Sequence, residues 1–400
     1  MIESVGSWKG LRPLRGWRAV FVPRVPWGAL DWHVLLLAAG MIVTSLVFVR
    51  TMEESDVRFG REGIVFASHV KKIAVALPFL GLGFFLRPRW LRRHAWTIYG
   101  FVLVLLVLVP LIGEERNNAR RWIPLPLGFD LQPSELAKLG LIVALARALY
   151  RNRLQELGEW WGPALLALVP MALVAAQPDL GTALTIVPVT LGLAWLAGAR
   201  ARTIGGLCAA GLLAGAVAFE LELGHGYQLK RIETWAATLD NAVLIEGKSG
   251  AAFHAYQARV AIGHGGLLGT GLGRGVANEA GHLPERDCDS IFAVIAEESG
   301  FLGASVLVVA YLLLAGSLLA AAGRVRDRFS RLVVAGVGLY FAAHFFINVA
   351  VNLGLIPMTG LTLPLISTGG SSLLTSFLAL GLALGFAARP EPSLDLDSFR

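Results

Sequence analysis

The chain has 400 residues, of which 55% are hydrophobic and 16% charged; with a mean hydropathy of +0.63 it is too apolar for a water-soluble domain, and a bilayer is its expected solvent. The formal net charge of +7 does not indicate nucleic acid, because the arginines fall in short clusters between apolar runs rather than along one soluble face. Cys208 and Cys288 are the only cysteines and the first lies in an apolar run, which argues against a disulfide framework, while the 46 glycines sit inside Leu, Val and Ala runs where small residues let helices approach closely.

In chain order, residues 1–30 contain Lys9, Arg12, Arg15, Arg18 and Arg24 without an apolar core or a small-residue cleavage site, and read as a cytoplasmic tail. A polytopic membrane domain is expected over 31–388. Apolar runs long enough to cross a bilayer, ~20 residues each, lie at about 32–50, 69–86, 95–113, 132–150, 162–177, 180–198, 203–222, 291–322, 332–353 and 367–388. The expected fold is therefore an all-α integral membrane protein of about ten transmembrane helices. With both termini cytoplasmic, the inner loops carry Arg87, Arg89, Arg92 and Arg93, then Arg151 and Arg153, Arg200 and Arg202, and finally Arg324, Arg326, Arg328 and Arg331, as the positive-inside rule requires. One large extracellular loop, about 223–290, then separates helices 7 and 8; its aromatic and apolar content predicts short helices at the membrane surface. The tail 389–400 is Pro-rich and acidic, and reads as disordered and cytoplasmic.

In this orientation the even-numbered spans begin outside, and polar clusters open each of them from the fourth: Gln132-Pro-Ser-Glu-Leu-Ala-Lys138, Gln177-Pro-Asp-Leu-Gly-Thr182, Asp287-Cys-Asp289 and Ser367-Thr-Gly-Gly-Ser-Ser372. Helix N-termini gathered on one surface suit an anion such as a diphosphate. Each cluster also has a purely structural reading: Pro133 with Glu135 is ordinary helix-start chemistry, and Asp179 can simply cap its helix. Glu135 and Lys138 share a helical face near the membrane edge, where they mark either a functional cavity or a structural ion pair. The loop before span four concentrates Arg116, Arg120, Arg121 and Trp122 on the side where arginine is scarce, which fits a negatively charged partner or a headgroup-contacting loop.

Glu285, Asp287 and Asp289 stop directly at the apolar run from Ile291, so Asp289 sits at the membrane mouth, where partial desolvation raises a carboxyl pKa toward that of a general base. Three such oxygens could hold Mg²⁺, whereas the absence of His/Cys ligand spacing argues against zinc, and no metal ligand is assigned. The glycines from Gly263 to Gly275 lack a surrounding βαβ pattern and read as loop geometry rather than a nucleotide site.

From about Trp32 to Phe386 the chain resembles the SEDS family (shape, elongation, division and sporulation), which includes RodA and FtsW. The resemblance rests on Ala119-Arg-Arg-Trp122, Gln132 to Lys138, Gln177 to Ala183, Ala261-Ile-Gly-His-Gly-Gly266, Leu283-Pro-Glu285 through Ile291 to Glu298, and Leu355 to Gly360 with Leu363 to Ser372. It implies a ten-span peptidoglycan glycosyltransferase of the bacterial inner membrane that links the disaccharides of lipid II into a nascent glycan strand. It also implies a class B penicillin-binding protein as partner, alongside membrane lipids and no nucleic acid. By the same resemblance Asp289 occupies the family's essential aspartate position, Arg120 or Arg121, Glu135, Lys138 and Asp179 become cavity residues, and Ser367, Ser371 and Ser372 lie at the outer end of span ten. Cys288, Ser290, Val276-Ala277 and Thr368 depart from the usual pattern. Pro357-Met-Thr-Gly360 leans toward the RodA-like, elongation and cell-shape side, though Leu361-Thr-Leu-Pro364 also occurs in division-type members.

Such a reaction needs one base and a cationic cradle, because diphosphate leaves without being protonated. Asp289 is the expected base, with Arg120, Arg121 and Lys138 receiving the diphosphate and a divalent cation, Mg²⁺ or Mn²⁺, as a conceivable helper. Two other readings stay open: a transporter (flippase) of the lipid-linked precursor, and a non-catalytic scaffold for a penicillin-binding protein.

Overall fold

The structure, a computed structural model, describes residues 16–22, 27–61, 66–116, 119–125, 129–220, 226–237, 250–276, 279, 283 and 285–389. Of the tails expected over 1–30 and 389–400, residues 1–15, 23–26 and 390–400 lie outside these residues, as do Asn117, Asn118, Ala277 and Pro284. Helices stand at each predicted span: α1 (Trp32–Arg58), α2 (Phe66–Phe85), α3 (Pro88–Ile112), α4 (Pro133–Leu149), α5 (Trp161–Ala176), α6 (Leu180–Ala197) and α7 (Ala201–Glu220). The loop after α7 contains α8 (Gly226–Ala237) and α9 (Gly250–His264), before α10 (Ile291–Arg324), α11 (Arg328–Asn352) and α12 (Gly370–Ala388). Apolar runs locate helix centres better than ends: α1 continues through polar Glu53, Glu54 and Asp56, and α3 starts in the arginine segment at Pro88, a favoured first helical position.

Eight of the ten helices at the predicted spans are long and apolar enough to cross a membrane, α5 together with the turn from Leu157 that leads into it. The two others are α4, with 17 residues, and α7, whose apolar part is Ala201–Val217. Protein encases α4: nearly every side chain along it is buried between α3, α5, α6, α11 and α12. With α11 and α12 it forms the middle of the bundle. α12 is 89% buried over its apolar window against 22% for its neighbour α2, so α12 is central and α2 peripheral. Those two pack at backbone contact: a Cβ on Gly381 would lie 2.1 Å from the Leu80 carbonyl, and one on Gly385 2.2 Å from that of Phe84. This is the close approach that glycines four apart permit in a membrane helix pair.

One feature differs from an all-helical expectation. The connection between α3 and α4 folds into an antiparallel sheet in the order β1 (Glu114–Arg116), β2 (Ala119–Leu125), β3 (Phe129–Leu131); the ladder satisfies backbone groups that a short interhelical link would otherwise leave unpaired. The loop helices also rest on protein: Trp235 of α8 donates to the Gly354 carbonyl at 3.0 Å and Arg259 of α9 to the same oxygen at 2.9 Å. They cover the segment joining α11 to α12.

The glycine-rich stretch after α9 has the loop role read from sequence. Gly300 interrupts α10 with φ +68°, and the loop repairs the break: Phe301 N donates to Gly266 O at 2.9 Å, while Thr270 N and Gly271 N donate to the Glu297 and Glu298 carbonyls at 3.0 Å. Only glycine fits this contact, since a Cβ on Gly265 would stand 2.1 Å from Ala296 O.

Candidate active site

Four helix starts meet at one end of the bundle. Gln132 precedes α4, Asp179 caps α6, Ser290 precedes α10 and Gly369 precedes α12. Side chains of the polar clusters join them. Gln132 donates from its backbone N to Ser371 Oγ at 2.8 Å and from Nε2 to Asp179 Oδ2 at 3.1 Å. Ser367 Oγ donates to Cys288 O at 2.6 Å and accepts from Leu363 N at 2.8 Å. The Thr368 hydroxyl donates to Asp287 Oδ2, and its backbone N to Asp287 O at 3.0 Å. Ser367 and Ser371 thus hold backbone in place, and Ser372 is buried against the Tyr340 hydroxyl.

Asp289 lies in the turn before α10. Asn348 and Asn352 of α11 donate to its carbonyl oxygen at 3.0 and 3.1 Å, which fixes the backbone and leaves the carboxylate outside the net. Gly360, in the left-handed region at φ +71°, turns the α11–α12 segment past that carboxylate. Among the described residues no ion pair or hydrogen bond reaches it. The side chain is half-buried by surface exposure, yet the surrounding mass of protein desolvates it: burial first, then the charges of Glu285, Asp179 and Asp287, push its pKa from 3.8 to about 7. Arg231 of α8 pulls the other way. Glu285 is also raised, by burial and then by Asp287. Its backbone stands at φ +47°, as Leu365 in the facing turn stands at +66°; such left-handed non-glycine residues store strain that only a rigid surround maintains.

The other expected residues divide. Asp179 is a capping residue, accepting from Thr182 N at 3.2 Å through Oδ1. Arg120 and Arg121, adjacent on β2, point to opposite faces. Arg120 is exposed and pairs with Glu115 at 3.3 Å, whereas Arg121 turns inward and donates to the carbonyls of Gln177 and Pro178, binding the sheet to the start of α6. Lys138 does not present a free ammonium. It is buried, bonded to Glu135 Oε1 and His344 Nε2, each at 2.7 Å, and lies over the Tyr340 ring.

Three participants escaped the sequence. Arg231 is the cation that acts on Asp289, and it donates to Met358 O at 3.2 Å. His254 of α9 bonds Ser290 Oγ and is kept neutral, its pKa lowered to about 4 by burial and then by Arg231. Arg286, between the acids, is buried in an ion pair with Asp56 of α1. These contacts join residues distant in the chain, and no local spacing signals them.

Glu285, Asp287 and Cys288 bring three potential ligand atoms within 4.8 Å of one another, and Asp289 does not join that group. The set suits a hard divalent ion poorly. Mg²⁺ takes oxygen ligands, Asp287 is already bonded to Thr368, and the Cys288 thiol is pushed up by burial and its acidic neighbours, hence held protonated.

The chain as a whole is similar to known proteins. The chain is 35% identical over 387 residues to the probable peptidoglycan glycosyltransferase FtsW of Mycobacterium tuberculosis, covering 92% of this chain and 71% of that one. It is 32% identical over 360 residues to the peptidoglycan glycosyltransferase MrdB of Escherichia coli, covering 89% and 92%. A solved structure described as structural coordination of polymerization and crosslinking by a peptidoglycan synthase complex superposes with a TM-score of 0.74 at 30% identity, covering 90% of this chain and 98% of that one. A family model for cell cycle proteins matches residues 29–389, and this multi-pass membrane protein belongs to that FtsW, RodA and SpoVE family, the SEDS family its motifs resemble.

Proposed function

We propose that this chain is a peptidoglycan glycosyltransferase that polymerises lipid II on the outer face of the bacterial inner membrane, with Asp289 as general base. The observation that carries the reading is a carboxylate with a pKa near 7, free of ion pairs among the described residues, where four helix starts converge. A sugar hydroxyl of the acceptor attacks the anomeric carbon of the donor, its proton passes to Asp289, and the bond to the polyprenyl diphosphate breaks with the electron pair leaving on the diphosphate oxygen. At neutral pH about half of such a base is ionised and its conjugate acid is weak enough to form, the compromise that proton abstraction favours.

The cradle differs from the one expected. Lys138 is engaged by Glu135 and His344. Arg120, whose exposed pair with Glu115 is worth little in water, is a cation available to a phosphate, with Arg121 behind it organising the start of α6. A requirement for Mg²⁺ or Mn²⁺ would belong to the diphosphate that the substrate brings. Names of relatives favour polymerisation over transport, and they do not separate division from elongation, since FtsW and MrdB relatives match at 35% and 32%. We further assign a class B penicillin-binding protein as crosslinking partner, on the likeness to a polymerising and crosslinking complex.

The test is polymerisation of lipid II by the purified chain in detergent, with and without the partner. Asp289→Asn removes the base, and general-base catalysis is worth roughly 10²–10⁴-fold. A loss of that size with retained lipid II binding is expected; near-normal polymer from the folded variant, or no polymer from the wild type under any partner or cation condition, overturns the reading.

A further inference from the structure

Arginines also line a cavity at the opposite end of the bundle. α3 runs from Pro88 to the sheet beside the acid cluster, and α4 returns from that cluster to Leu149, so the start of α3 and the end of α4 lie together at the far end. They are about 25 Å, the length of α4, from the helix starts around Asp289. There Arg89, Arg92, Arg93, Arg147, Tyr150 and Arg151 line a cavity of about 310 Å³, at the lower end of ordinary small-ligand volumes. Among the described residues that lining contains no acid.

Topology signals alone do not require this arrangement. Loop arginines that merely obey the positive-inside rule spread into water. Here three guanidiniums crowd one ring: Arg147, Arg151 and Arg92 stand 4.9, 5.1 and 5.5 Å from the centroid of Tyr150, which is itself buried. The ring face attracts each cation but leaves their mutual repulsion in place. Arg92 is partly neutralised by Asp327 at 3.6 Å, a carboxylate already committed to capping α11 through Ser330. Arg89 occupies the first turn of α3, where the helix dipole disfavours a cation. A second, independent observation concerns Arg147: its Nε is buried and has no hydrogen-bond partner, and a guanidinium N–H removed from water without an acceptor is costly.

We propose that this cavity binds a phosphate-bearing anion, held by the forks of Arg93, Arg147 and Arg151. Guanidinium forks match phosphate oxygens in pairs, and an anion there supplies both the missing acceptor and the missing negative charge. The phosphate comes either from a phospholipid headgroup of the adjacent leaflet or from a soluble phosphate compound.

The test uses the purified full chain in detergent. Retention of phosphatidylglycerol against phosphatidylcholine is counted by native mass spectrometry, and thermal midpoints are measured separately with sodium pyrophosphate. Arg93→Gln/Arg151→Gln changes two exposed side chains and leaves the fold intact. Arg200→Gln/Arg202→Gln, on another basic loop, is the control. Removing two charge-assisted contacts weakens binding by about tenfold or more. If the wild type and the control retain phosphatidylglycerol and the cavity variant loses it, the ligand is a lipid phosphate. If pyrophosphate raises the midpoint of the first two and not of the third, it is soluble. Equal behaviour of all three proteins, or no response to either probe, overturns the proposal.

Discussion

Two acids at the end where the helix starts meet are removed from bulk water in opposite ways. Glu135, in the first turn of α4, is 3% exposed and faces an ammonium at 2.7 Å, which is in turn bonded to His344. Asp289, at the mouth of α10, has no cation at pairing distance among the described residues; it keeps part of its surface and takes a pKa near 7 instead. The pair at α4 engages Glu135 through Oε1, leaves Oε2 buried without a hydrogen bond, and joins α4 to α11 at the centre of the bundle. The acid at α10 has no cation paired to it among the described residues and feels only the opposing pull of Arg231, so its protonation state is free to change. Burial alone therefore does not set an acid's protonation behaviour; the partner does.

Breaking the first arrangement should have the largest effect. Lys138→Met removes the cation and leaves Glu135 with only polar company, and loss of one partner of a buried pair costs about 3–5 kcal/mol. Thermal unfolding in detergent should show a large fall in midpoint, and Glu135→Gln/Lys138→Met should recover much of it by removing the stranded charge. If the single variant is as stable as the wild type, the triad with His344 contributes nothing to the fold.

The second arrangement should respond with the opposite sign. A carboxyl whose pKa is raised on folding holds its proton more tightly in the native state, so between the unfolded value near 3.8 and the folded value near 7 the native form binds more protons. Stability then falls as pH rises through that window. Above pH 7 the ionised Asp289 destabilises the fold by something on the order of 2–4 kcal/mol. Asp289→Asn should accordingly raise the midpoint at pH 8 and change it little at pH 4. A midpoint lowered at pH 8 would place Asp289 with the paired acids.

How far the sequence reveals this contrast follows from the range of the forces involved. Apolar runs report helices directly, because each span must satisfy its own backbone within the bilayer, and alternation of direction then brings the starts of α4, α6, α10 and α12 to one end. The polar clusters at those starts were legible for the same reason. What each side chain does there was not. The i,i+3 spacing of Glu135 and Lys138 leaves a cavity and an ion pair equally open in sequence, and His344, which completes the pairing of Lys138, lies too far along the chain to be seen there. Asp179 offered capping and binding readings, and in the structure the carboxylate caps α6. The sheet carrying Arg120 and Arg121 is short, and its pairing depends on the two helices that frame it.

Arg231 gives the finest probe of the contrast, because it alone among the described residues pulls the Asp289 pKa downward. Arg231→Gln removes that attraction, so the Asp289 pKa should climb further and the acid limb of the polymerisation pH profile should move to higher pH, by less than about one unit given the solvent and distance between the groups. Arg231 also donates to the Met358 carbonyl, so the substitution disturbs the α11–α12 segment as well. That disturbance lowers the rate at every pH without moving the limb. Arg231→Lys separates the two effects, since it keeps the charge and loses the fork. A limb restored to the wild-type position in the lysine variant, at whatever rate, assigns the shift to charge; a limb that stays in place in both variants means that Arg231 acts only as a brace for the loop over the site.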